Sequence, residues 1–135
     1  MHPFREAVEA DDHDAIHALL AEDVVFTSPV AFKPYAGRAI TAAILRGVSR
    51  VFSDFHYVRE INGPDGRDHA LLFEAKVGDK AIHGCDFLHL NEKGEIDEFV
   101  VMVRPLSAAT ALAEAMGAQF ERIAREATEE AERPA

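Results

Sequence analysis

Apolar positions recur every three or four residues near both ends of the chain and once before its middle, and alternate with polar ones in between. Phe4, Ala7, Val8, Ile16, Leu19 and Leu20 have helical spacing, interrupted by Asp11-Asp12-His13-Asp14. That break reads as one helix ending and a second starting under an aspartate cap. Val24–Thr27 is a short β-branched and aromatic run stopped at Pro29, so a strand is expected, followed by a loop through Pro34 and Tyr35. Gly37 then leads into Ile40, Ala43, Ile44, Val48, Val51 and Phe52, which predict an amphipathic helix of about four turns.

From there the period falls to two. Phe55–Ile61, Ala70–Val77, Ala81–Leu90 and Ile96–Arg104 are strand candidates joined by short turns at Asn62–Gly66, Gly78-Asp79 and Asn91–Gly94. Short links make antiparallel neighbours. From Leu106 to Ile123 helical spacing returns, and the acid-rich stretch Glu126–Glu132 after it reads as a solvated helix end. The expectation is an α+β fold in a single domain over residues 1–131, with 132–135 as a tail.

Composition narrows the function classes. The chain has 135 residues, a size that supports one core. Fourteen Lys and Arg against 24 Asp and Glu give a net charge of -10, the wrong sign for nucleic acid or an anionic membrane, so neither is expected as a partner. Cys85 is the only cysteine, which excludes an internal disulfide and fits a reducing compartment. No apolar run of signal-peptide or membrane-span length is present, and a cytoplasmic location is expected.

One residue resists the pattern. Alternation along the third strand of the meander puts Asp86 on the same face as Ile82, Gly84, Leu88 and Leu90. A carboxylate there either stays protonated, serving as a pocket acid, or pairs with a nearby Arg or His as a structural group. The opposite face carries His83, Cys85, Phe87 and His89. Zinc accepts imidazole and thiolate, but residues two and four apart on a strand splay too far for one ion. No metal or cofactor is expected, and that face is read as a subunit contact. Ser28 is read as a turn residue or a ligand contact, Tyr35 as open between the two, and Arg104 as structural. His13, His17, His56 and His69 have no acid or nucleophile at a recognisable spacing, and are read as surface or edge residues.

The phrases AIHALLAEDVVFTSPV, YAGRAITAAI and GCDFLHLNEKGEIDEF, in that order, resemble the nuclear transport factor 2-like superfamily and, within it, the SnoaL-like domains. The resemblance spans roughly Phe4 to Arg104. It implies a cone-shaped, curved antiparallel sheet with helices on its concave face, a deep apolar pocket and a homodimer. The superfamily includes ketosteroid isomerases, polyketide cyclases, dehydratases, epoxide hydrolases and binders without activity, so function rests on pocket residues.

In the ketosteroid isomerases a first-helix tyrosine and a protonated strand aspartate form the oxyanion hole, and a second aspartate moves the proton. In register these positions are Phe4, Asp86 and Ser28 here, so one functional group of the set is kept. The same register brings Val8, Leu20, Val30, Ile44, Phe99, Val101 and Val103 to the pocket, with Tyr35 beside it. Two functions are compatible: a binder of a small apolar ligand anchored by Asp86, or an isomerase, cyclase/lyase or hydrolase using Asp86 as general acid or oxyanion donor.

Overall fold

The structure is a computed structural model and describes residues 1–132, so most of the expected tail, residues 133–135, lies outside the described residues. Two short helices, α1 (Pro3–Glu9) and α2 (His13–Leu19), precede strand β1 (Leu20–Thr27). The Asp-rich break builds both helix ends. The Asp11 and Asp12 amides donate to the carbonyls of Val8 and Ala7, closing α1, while the Asp12 carboxylate accepts from the Ala15 amide and caps α2. Asp11 occupies the left-handed position of this closure at φ 52°, where glycine is the usual residue.

After β1 comes a two-residue strand, β2 (Tyr35–Ala36), where the sequence pattern suggested only loop. It pairs with β1, and the Gly37 amide donates to Val24 at 2.7 Å. Gly37, at φ 112°, turns the chain into α3 (Arg38–Val51). The meander is β3 (Ser53–Asn62), β4 (Asp68–Val77), β5 (Lys80–Leu90) and β6 (Ile96–Arg104), followed by α4 (Leu106–Ala131).

All six strands form one curved, open sheet in the order β2-β1-β6-β5-β4-β3. The meander pairs are antiparallel, as the short turns require. The sheet as a whole is mixed, because β1 lies parallel to β6. A parallel neighbour needs a long crossover, and α3 with the meander supplies it.

A bulge between Tyr57 and Arg59 changes the phase of β3. Phe55 and Tyr57 point inward before it; after it Glu60 turns in and Ile61 turns out. Leu112 and Ile123 of α4 are buried, worth about 2 kcal/mol each, and α4 packs on α3.

The acid-rich end of α4 is not simply solvated. Glu130 is 8% exposed, and its carboxylate meets Arg46 at 3.2 Å and His17 at 3.3 Å. Arg50 donates to Glu126 at 2.8 Å. These ion pairs fasten the last turns of α4 to α2 and α3, so the charge pattern marks a docking seam. His17 accordingly belongs to this seam. His56 remains exposed and meets Glu74, while the His69 ring packs on His2 with centroids 4.5 Å apart.

Candidate functional site

The inner face of the sheet, α3 and α4 enclose a cavity of about 300 Å³. Its wall is mostly apolar, including Ile44, Val48, Phe52, Phe55, Phe73 and Met116. Asp86 lines it and is buried, as the alternation of β5 requires. Among the described residues no arginine or histidine pairs with the carboxylate. Its partner is Tyr57, whose hydroxyl donates to Oδ2 at 2.8 Å.

The reach of Tyr57 has a local cause. Tyr57 on β3 and Asp86 on β5 are separated by β4, and the side chain crosses over that strand. On β4 its neighbour Phe73 leans over Gly84 of β5, occupying the space where a Cβ would stand. Phe55 stacks on Phe73 at 4.9 Å and meets the Tyr57 ring edge-on at 5.0 Å, fixing it in this pose. The Arg5 guanidinium lies 5.9 Å from the centre of the same ring.

Burial pushes the Asp86 carboxyl up from 3.8 to about 7, against the downward pull of the Tyr57 hydrogen bond. Burial and the neighbouring carboxyl push the Tyr57 phenol upward as well, so it keeps its proton and serves as a donor. Among the described residues no sealed side-chain polar atom lacks a partner. Among the described residues Oδ1 of Asp86 takes up no hydrogen bond, and it therefore opens onto the cavity. With Oδ2 accepting from Tyr57, a neutral carboxyl carries its proton on Oδ1 and offers it inward.

Phe4, Val8, Ser28, Val30, Tyr35, Ile44 and Val101 line the same cavity. Leu20, Phe99 and Val103 do not. Leu20 and Phe99 are sealed in the core, where the Phe99 ring packs edge-on to Phe4 and Phe26 at 5.2 and 5.3 Å and is covered by them. Val103 points to the same face as Val101 but sits further along β6, opposite Gly84, and packs against the core. Ser28 accepts the Val30 amide at 3.1 Å, so it is a turn residue whose side chain also borders the cavity.

Five polar residues of the cavity wall were not anticipated: Glu9, Asp11, His13, Ser49 and Tyr57. Tyr57 carries no motif, although an inward-facing tyrosine needs a buried partner for its hydroxyl, and Asp86 is a lone acid on the same face. His13, expected at the surface, lines the cavity, and its Nε2 lies 3.0 Å from Asp11 and 3.4 Å from the Ser49 hydroxyl. The outer sheet face carries His83, Cys85, Phe87 and His89 as expected. His89 meets Asp97 at 2.8 Å and Arg104 lies 3.5 Å from His83. Among the described residues no group of three His, Cys, Asp or Glu converges in a way that could hold a metal ion.

Residues 2–99 match the SnoaL-like domain family. The chain belongs to the SnoaL-like family. Two solved structures resemble this SnoaL-like chain over nearly its whole length. One, from Silicibacter pomeroyi DSS-3, is an uncharacterised protein conserved in bacteria with a cystatin-like fold. It is 43% identical with a TM-score of 0.85, and the match covers 91% of this chain and 86% of that one. The other, a steroid delta-isomerase from Pseudomonas aeruginosa, is 38% identical with a TM-score of 0.84, covering 90% and 89%. The epoxide hydrolase/cyclase-like enzyme SalBIII of salinomycin pyran-ring formation shares the fold, at 19% identity and a TM-score of 0.63 over 78% and 87%. No curated protein matches the SnoaL-like chain significantly. These neighbours place it in the nuclear transport factor 2-like superfamily, and no helix among its described residues is long and apolar enough to cross a membrane.

Proposed function

We propose that this SnoaL-like protein binds a small apolar molecule bearing an oxygen, with Asp86 as the polar anchor. The observation carrying the proposal is the state of that carboxyl: buried, held by Tyr57 through Oδ2, and open to the cavity through Oδ1. Such a group donates one hydrogen bond to a carbonyl, ether or epoxide oxygen, and the aromatic and aliphatic wall holds the remainder of the ligand. Native mass spectrometry of protein purified from its own host tests the reading. A retained apolar ligand, lost in Asp86→Asn, supports it; unchanged retention in that variant leaves Asp86 structural.

The second reading is catalysis by the same group, and the 38% identity to a steroid delta-isomerase favours it. A protonated Asp86 would stabilise an oxyanion forming on a substrate carbonyl, or act as general acid toward an isomerisation, cyclisation, elimination or hydrolysis. Ser28 supplies no base, since serine needs a neighbouring acceptor to lose its proton. The outer sheet face is proposed as the contact of a homodimer: Phe87 and Met102 are 41% and 60% exposed there. Sedimentation as a clean monomer at micromolar concentration would refute that assembly.

A further inference from the structure

The connection between β1 and β2 is held at both ends and almost free between them. Phe26 of β1 pairs with Tyr35 of β2, and the Gly37 amide closes that pair on Val24. Across residues 29–34 the one hydrogen bond among the described residues stays inside the loop, from the Val30 amide to the Ser28 hydroxyl, and Pro29 and Pro34 have no amide to donate. A segment with so few bonds opens and closes at little cost, the property of loops that move over binding sites.

The same loop forms part of the cavity wall. Ser28, Pro29, Val30 and Ala31 line the cavity on the way out and Tyr35 on the way back, while the tip between them is Phe32-Lys33. Phe32 is fully exposed, although its chain neighbour Ala31 borders the cavity. One exposed apolar side chain is ordinary on a protein surface, so the place of Phe32 on this loop is what counts. Phe120 of α4 also lines the cavity and is 48% exposed, so the wall itself presents an aromatic surface to solvent.

We propose that the loop over residues 28–34 is a lid, and that Phe32 folds in over the cavity when an apolar molecule fills it. The proposal rests on the reading of the cavity as a site for such a molecule. Without a ligand, closing orders the loop and brings the ring over a space that offers few contacts; with one, Phe32, the ligand and the exposed side of Phe120 bury one another. The ligand therefore favours the closed arrangement through contacts it makes only there. An open lid leaves entry unhindered, and a closed one slows release.

The chain has no tryptophan, so Phe32→Trp places a single fluorophore at the tip of the loop. The probe is borneol, a saturated apolar alcohol that does not absorb at the excitation wavelength, and its binding is measured independently by calorimetry. On saturation the indole emission is expected to shift to the blue and its quenching by acrylamide to fall. Phe32→Ala is expected to release borneol about tenfold faster, with association within about twofold of wild type, the scale that burial of part of a phenylalanine side chain supplies. In the absence of borneol Phe32→Ala should unfold in urea at the wild-type midpoint, because a fully exposed ring has no packing to lose. An indole that does not respond to bound borneol, or release from Phe32→Ala at the wild-type rate, overturns the lid and leaves the cavity reading standing. A blue shift that follows protein concentration instead of borneol assigns Phe32 to a contact between copies and overturns the lid as well. No binding of borneol to wild type removes both readings.

Discussion

Replacing Asp86 with asparagine keeps the shape of the side chain and removes its titration, and the stability of the protein should register the difference. In the folded state burial holds the carboxyl at about 7, whereas an exposed aspartate titrates at 3.8. Below the lower value both states carry the proton and the folded state bears no penalty. Between the two, the unfolded chain ionises while the folded one does not, so stability falls as pH rises; above the upper value the loss is complete. At about 1.4 kcal/mol for each pH unit of displacement, the full loss is about 4 kcal/mol, of which about 3 kcal/mol falls between pH 5 and pH 8. Urea unfolding of wild type and Asp86→Asn at a series of pH values isolates this group, because all other titrations are shared. The stability of the variant relative to wild type should climb by about 3 kcal/mol from pH 5 to pH 8. Parallel curves for the two proteins would refute the burial argument, and a relative fall would mean that the carboxylate is stabilised in the folded state.

Tyr57→Phe removes the bond that favours the ionised form, so the Asp86 midpoint should move above about 7 and the protein should lose about 1–3 kcal/mol in urea unfolding at pH 6. An unmoved midpoint would show that the phenol does not hold the carboxyl. Gly84→Ala places a methyl group where the Phe73 ring lies and should cost about 1–3 kcal/mol while disturbing the Tyr57 pose; near-wild-type stability would mean the ring is free to swing away. Glu130→Ala breaks contacts to Arg46 and His17 at the end of α4, with an expected loss of about 1–3 kcal/mol and faster amide exchange in the last turns of that helix. Unchanged exchange there would restore the view of a merely solvated helix end.

The meander was legible because each of its strands has one inward and one outward face, and period two registers that directly; Asp86 was found by the same logic. Pairings between distant segments leave no such trace. The parallel β1–β6 contact depends on a crossover through most of the chain, and β2 is too short for any pattern. The phase change in β3 escaped because a bulge appears only against a partner strand, and it separates inward Tyr57 from inward Glu60. Glu130 and His17 looked like surface residues because each is polar on a helix, and only the packing of α4 beside α2 and α3 joins them. The cavity register carried over from the family put Leu20 and Phe99 on the wall; both are sealed in the core, Phe99 beneath the rings of Phe4 and Phe26.

The central claim, a neutral carboxyl offering its proton to a ligand oxygen, is open to one direct measurement. Carbon-13 NMR of the Asp86 side-chain carboxyl across pH 3 to 10 gives its midpoint in place, first without and then with a saturating apolar ketone. The expected result is a midpoint at about 7 that rises on ketone binding, because a hydrogen bond from the protonated form to the ligand oxygen favours that form. A midpoint near 3.8, or one that bound ketone leaves unmoved, would contradict the account.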